Sequence, residues 1–514
     1  MTDTAKNNKR IAKNTLLLYV RMLFMMAISL YTSRIVLNTL GVEDYGIYNV
    51  VGGVVSMFSV ISGSLSAAIS RFITYELGKG DKKALENIFS SAVTIQLALG
   101  LIILILAEFI GVWFLNAKMN IPESRIYAAN WVFQLSIVTF IVNLISVPYN
   151  AAIIAHEKMS AFAYISILEV SAKLLIVYML LISPIDRLIS YAILLASVAL
   201  IIRFVYGHYC KRNFEECTYH FVFDTTLLKR MFSFAGWNFI GSCSAILRDQ
   251  GGNIVINLFC GPAVNAARGI AYQVNSAING FVNNFMMALN PQITKSYASG
   301  NREYMMTLIY QGARLSFYIL MMLSLPVIIN VDYILELWLK TVPEHTSTFI
   351  QLVLIFTMSE AISNPLITAM LATGNIRNYQ IVVGGLQLLN LPISYILLKN
   401  GCIPETVLIV AICISQCCLL ARLYMLRSMI GLSSKKFIKK VYFNVIYVSS
   451  ISALLPAFIT KILPSNFVSF ILICVLSLLT TSLTILYIGC NSNERAFVFK
   501  KAKQLKNKIL RIHD

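Results

Sequence analysis

Residues Ile471 to Ile488 read ILICVLSLLTTSLTILYI, with no charged group among them. Leu97 to Ala107 and Ile137 to Ile154 sit inside similar apolar windows, long enough to cross a hydrocarbon layer that takes about 20 residues per helix. The 514-residue chain is 58% hydrophobic and only 13% charged, against roughly 25% charged in a soluble globular protein. No soluble core could hide that much apolar surface. Within lipid every backbone polar group must be satisfied internally, which leaves helices or closed barrels, and the unbroken apolar runs exclude a barrel's alternating pattern. The expected fold is an all-α integral membrane protein with about fourteen transmembrane helices, from a first span near 11–40 to a last near 466–490.

The first apolar segment follows Lys6, Lys9, Arg10 and Lys13. It is too long for a cleavable signal and carries Arg21 and Arg34, so it reads as a retained span. Assigning the lysines and arginines at span ends to alternate sides gives a lopsided result. One side takes the N-terminal tail, Lys79, Lys82, Lys83, Lys158, Lys211, Arg212, Lys229, Arg230, Lys295, Arg302, Arg377, Lys435, Lys436, Lys439, Lys440 and the C-terminal lysines. The other takes only Lys118, Arg125, Arg187, Lys340, Lys399 and Lys461. The positive-inside rule makes the richer side cytoplasmic, with both termini there and an even number of spans. The net charge of +19 is therefore topological, and no nucleic-acid partner is expected. The tail from Asn493 to Asp514 has two readings, an amphipathic helix on anionic membrane lipid or a solvated basic segment.

The chain repeats itself. Ile35-Val-Leu-Asn38 recurs as Ile254-Val-Ile-Asn257, Gly41 answers Gly261, and Ile73-Thr74 with Gly80-Asp81-Lys82 answers Ile293-Thr294 with Gly300-Asn301-Arg302. Six spans per unit give two parallel repeats related by an axis along the membrane normal. The expected organisation is an N-lobe at 1–212, an inter-lobe loop at 213–229, a C-lobe at 230–430, two further helices at 431–492 and a basic tail at 493–514.

The second helix of each unit carries a polar stripe at helical spacing. Tyr45, Gly52, Ser56, Ser59 and Gly63 align with Asn265, Tyr272, Ser276, Asn279 and Asn283. Glycines and serines fit close helix packing, whereas a row of amides is hard to satisfy without water or ligand. The preceding helix adds Asn238, Ser242, Arg248, Asp249 and Asn253. An arginine facing lipid at mid-bilayer costs roughly 2.5–3.5 kcal/mol, so Arg21, Arg34, Arg248 and Arg268 are expected to face a polar interior. Arg34 and Arg71 lie near helix ends, where snorkelling is an alternative. Asp249 and Glu360 are candidate ion-coupling carboxylates, and Glu169 is expected to pair with Lys173, four residues on. His208, Cys210, Cys217 and His220 match no standard zinc spacing, so neither metal nor cofactor is expected.

Two parallel six-span units, two extra C-terminal spans, the start Lys13-Asn14-Thr15 and the turn Leu40-Gly41-Val42-Glu43-Asp44-Tyr45-Gly46 resemble the polysaccharide repeat-unit flippases of the multidrug/oligosaccharidyl-lipid/polysaccharide exporter superfamily. The resemblance covers essentially the whole chain. It implies alternating access in the cytoplasmic (inner) membrane. It also implies transfer of a polyprenyl-diphosphate-linked oligosaccharide to the outer leaflet for surface polysaccharide such as the O-antigen of lipopolysaccharide, with polysaccharide polymerase and glycosyltransferases as partners. An anionic lipid-linked sugar needs fixed cations in a wet cavity, and guanidinium groups stay charged and grip phosphate oxygens in pairs. The expected substrate-binding set is Arg21, Arg34, Arg248, Arg268, Asn238, Tyr272, Asn279 and Asn283. A multidrug exporter and a peptidoglycan-precursor flippase of the same superfamily are the rival readings. An enzyme is disfavoured because no phosphate loop or paired-aspartate metal motif is present.

Overall fold

The computed structural model describes residues 3–56, 59–117, 121–184, 186–222, 224–339, 342–464, 466–492, 494–496 and 499. Among these residues every regular element is a helix. Two helical stretches are too long for any bilayer. Asp3–Ser56 has 54 residues and Thr225–Ala298 has 74, which at 1.5 Å per residue would run to about 80 and 110 Å against a membrane of roughly 40–45 Å. Each is broken by one glycine, Gly41 (φ 83°, ψ 168°) and Gly261 (φ 82°, ψ 178°). That backbone region is essentially closed to residues with a Cβ, so the two positions are glycine for a conformational reason.

The repeat read from sequence continues in the geometry. Gly80 and Gly300 again share a positive φ, 80° and 77°, just past the ends of Ser59–Lys79 and Thr225–Ala298. The following residue caps the next helix in both copies. Asp81 Oδ1 accepts from the Ala84 N–H at 3.0 Å, and Asn301 Oδ1 accepts from the Tyr304 N–H at 3.2 Å. A third correspondence was not visible in the sequence: Arg125 pairs with Asp186 (2.6 Å), and His345 pairs with Glu405 (2.6 Å). Asp186 and Glu405 stand at equivalent helix starts, before Arg187–Asn213 and Thr406–Ile430.

Eleven helical segments among the described residues are long and apolar enough to cross a membrane. The expected spans not among the eleven are the second, seventh and eighth, the ones that carry the polar stripes and, in the last two, Arg248 and Arg268. Large side chains such as Phe109, Ile182, Phe204, Tyr424 and Val468 lie exposed on the helices, as a lipid-facing surface requires. The chain is a multi-pass membrane protein.

The chain divides into two compact units. The first comprises Met1–Cys243, Met287–Tyr304 and Leu371–Gln380. Its apolar packing includes Ile47, Val51, Leu115, Val132, Phe133 and Leu188. A polar knot forms at Glu157, whose side chain is only 1% exposed and which pairs with Arg10 (2.7 Å) and Lys295 (2.8 Å) and accepts from Gln292 (2.5 Å). Nearby, a Cβ at Gly78 would lie 2.9 Å from both Ala298 Cβ and Lys295 Cα, so the bare glycine lets the equivalent helix ends of the two repeats touch. The second unit comprises Ser244–Met286, Met305–Met370 and Ile381–Asp514. There buried Arg314 donates to the Gly489 carbonyl (2.8 Å) and pairs with Glu494 (2.7 Å), fastening the end of the last helical segment.

Candidate functional site

The break at Gly261 places a helix carrying Arg268 back against residues 249–253 of the helix before it. Gly252 makes the approach possible: a Cβ there would stand 3.3 Å from Arg268 Nη2. The guanidinium is buried, with the residue 4% exposed. Its Nη2 donates to the Asp249 carbonyl at 2.9 Å, its Nη1 to Asn253 Oδ1, and its carbon lies 4.3 Å from the Tyr272 ring centre. All three partners are neutral, and Nε finds no protein acceptor. Arg248 differs. Its Nε donates to Asp249 Oδ1 at 2.9 Å, making an ion pair, and its guanidinium faces Phe356 at 5.1 Å.

These groups enclose a space of about 10 Å³ together with Asn390, Val407, Leu408 and Ala411, roughly the room for one water. The Asn390 Nδ2 is buried and also lacks a protein acceptor. The site therefore offers two spare donors and one guanidinium not neutralised by a carboxylate, an arrangement that favours oxygen acceptors bearing negative charge.

The expected set assembles only in part. Arg248, Asp249, Arg268 and Tyr272 meet in the second unit. Asn279 and Asn283 do not join them, because they lie seven and eleven residues beyond Tyr272 on the same helix, about 10 and 16 Å along its axis. Asn279 is half-buried and Asn283 exposed. Asn238 lies ten residues before Arg248 and belongs to the first unit. So does Arg21, which stacks over Phe162 at 4.5 Å. The side chains of Arg34, Tyr45, Gly52, Ser56 and Ser59 lie outside the described residues. Glu360 accepts from Ser415 Oγ at 2.5 Å, in a polar chain where Ser359 and Ser415 hydroxyls are 3.2 Å apart and Tyr442 donates to Gln416 at 3.0 Å. The expected pair of Glu169 with Lys173 is formed at 2.6 Å.

A second basic site, not expected from the sequence, lies in the first unit. A cavity of about 610 Å³ is lined by Arg71, Lys79, Lys229, Arg230 and Arg377, with Phe72, Tyr75, Phe234 and Trp237. In the sequence these cations read as markers of topology or as snorkelling groups. The available signal was their spacing: 71, 75 and 79 share one helix face, as do 230, 234 and 237.

The family model described as "Polysaccharide biosynthesis protein" matches residues 11–297, more than half the chain, and a model described as MatE matches 242–396. The uncharacterized membrane protein EpsK of Bacillus subtilis is 20% identical over 293 residues, 56% of this chain; the match spans 57% of the length of that curated relative. Among solved structures, a point variant of the MATE transporter VcmN of Vibrio cholerae superposes with a TM-score of 0.68 at 15% identity, covering 83% of this chain and 99% of the other. A superfamily transporter from Pyrococcus furiosus, described as having a binding pocket of reverse polarity, gives a TM-score of 0.68 at 12% identity, covering 82% and 96%. At these identities the likeness is one of fold. On the family match, the chain belongs to the polysaccharide biosynthesis protein family, and its fold is shared with solved MATE transporters.

Proposed function

We propose that this protein is a flippase that moves polyprenyl-diphosphate-linked oligosaccharide repeat units from the inner to the outer leaflet of the cytoplasmic membrane. In this reading the six-helix halves at 1–212 and 230–430 alternate access to the two sides, both termini are cytoplasmic, and the chain performs no covalent chemistry. The observation that carries the reading is Arg268. A guanidinium at bilayer depth is expensive, and one held by neutral dipoles keeps its charge for a visiting anion, where an ion-paired one would not. Its unpaired Nε and the spare donor of Asn390 call for the same kind of guest, a phosphate oxygen.

One observation favours a second reading, a cation-coupled drug exporter. The MatE model covers 242–396, a segment that includes Asp249 and Glu360, and carboxylates suit a cationic cargo. Deleting the gene and locating labelled lipid-linked oligosaccharide by leaflet separates the two. The flippase reading expects accumulation on the inner leaflet, reversed by the wild-type gene. An unchanged distribution, with altered sensitivity to organic cations, would favour the exporter.

A further inference from the structure

The 610 Å³ cavity of the first unit is distinct from the arginine cluster of the second and has a different character. Five cationic side chains line it and, among the described residues, no carboxylate does; Glu76 stands 4.0 Å from Lys79, at the edge of ion-pair range. The cations are backed by rings. Arg71 lies 4.6 Å and Lys79 4.7 Å from the Tyr75 ring centroid, and Arg377 lies 5.5 Å from that of Trp237. A ring face steadies a cation without neutralising it, so the positive charge stays directed at the cavity.

Arg71 is built into place. Its Nη2 donates to the Ala372 carbonyl at 2.9 Å, while its Nε is buried without a protein acceptor. The loop that receives it turns at Gly374 (φ 79°), where a Cβ would fall 2.5 Å from Arg71 Nη2. That position therefore needs glycine twice, for the turn and for the guanidinium. The volume lies within the range of about 300–1,000 Å³ for small-molecule sites, well beyond one inorganic ion. Lys79, Lys229, Arg230 and Arg377 all fall at helix ends on the side that the charge bias makes cytoplasmic.

We infer that this cavity is a receiving site for the diphosphate headgroup of a lipid-linked sugar on the cytoplasmic side. The inference rests on the flippase reading and assigns it a second anion site. Arginines and lysines take up the diphosphate oxygens, and the ring faces offer apolar surface to the first sugar.

The test uses the full-length protein in nanodiscs of zwitterionic lipid, titrated with a short-chain polyprenyl diphosphate. Inorganic diphosphate and phosphatidylglycerol serve as competitors. Arg230→Gln and Arg377→Gln are the primary variants, because both side chains are exposed and no hydrogen bond of the fold depends on them in the cavity; Arg71→Gln and Gly374→Ala probe the built core. Each is expected to weaken binding by about tenfold or more, as for loss of a charged hydrogen bond, with inorganic diphosphate competing and phosphatidylglycerol competing poorly. Wild-type affinity in both exposed-residue variants overturns the inference, and so does equal competition by phosphatidylglycerol, which would make this a general anionic-lipid site. The flippase reading is tested apart from it. Cavity variants that bind and export normally, alongside an Arg268→Ala protein that does not export, sink the receiving site alone; a wild-type protein that moves no lipid diphosphate sinks the parent reading.

Discussion

Glu157 and Lys295 form a 2.8 Å ion pair that joins the first repeat to the second within one compact unit. The carboxylate is shared with Arg10 and Gln292, so one buried anion holds together segments far apart in sequence. Removing a partner from a buried ion pair costs about 3–5 kcal/mol. Because Arg10 and Lys295 are partly exposed, a smaller loss is expected, on the order of 2 kcal/mol for Glu157→Gln. Thermal unfolding in detergent checks it, and Lys295→Met should be milder, since it leaves Arg10 to neutralise Glu157. Equal stability of Glu157→Gln and wild type would show that the knot contributes nothing.

Gly41 and Gly261 have room for a side chain, with no atom within 4 Å of a Cβ built on either. Alanine is therefore excluded by backbone conformation and not by space. Gly261→Ala and Gly41→Ala should each cost about 1–3 kcal/mol, read as reduced thermal stability of purified protein. Gly385, which is equally unobstructed and has no positive φ, provides the control: Gly385→Ala should be neutral or slightly stabilising.

The Asp186 side chain caps Arg187–Asn213 through the Leu188 and Ile189 N–H groups and pairs with Arg125. Burial pushes its carboxyl up, but the Arg125 hydrogen bond and charge and the two backbone donors outweigh it and hold the group below the ordinary carboxylate range. A depressed folded value means stability that is complete above the unfolded value, about 3.9, and lost as pH falls through the folded one. Asp186→Asn keeps a capping oxygen, so it should lose the ion pair and this part of the acid dependence below about pH 4. Asp186→Ala should lose the cap as well, a further 0.5–2 kcal/mol, typically about 1. Unfolding followed from pH 3 to 7 distinguishes them; identical acid profiles for wild type and Asp186→Asn would contradict the pairing.

The repeat was legible because it is written in glycines. Gly41 with Gly261 and Gly80 with Gly300 mark backbone conformations that few other residues adopt, so sequence identity and geometry coincide there. The span count was legible from apolar length, and the three polar spans from their stripes. The site was legible only within a few turns of Gly261. That Arg268 reaches back to Asp249 and Asn253 depends on the angle at the break, whereas the stripe alone extended the site to Asn279 and Asn283. The basic cavity was not legible because its wall comes from three separate stretches, including the loop 374–376, and helical periodicity within one segment carries no information about which loop will close over it. The pairing of Arg125 with Asp186 and of His345 with Glu405 was hidden for a similar reason, since the second copy keeps the contact with different residues.

The account depends most on Arg268 keeping its charge for the cargo. The direct measurement is the rate at which purified protein in liposomes moves a fluorescent polyprenyl-diphosphate-linked oligosaccharide between leaflets, compared for wild type, Arg268→Lys and Arg268→Ala at matched reconstitution and matched thermal stability. The account predicts at least about a tenfold loss for alanine, the scale of one charged hydrogen bond, and a partial loss for lysine, which keeps the charge without the paired donors. Wild-type flipping by a well-folded Arg268→Ala protein would contradict it.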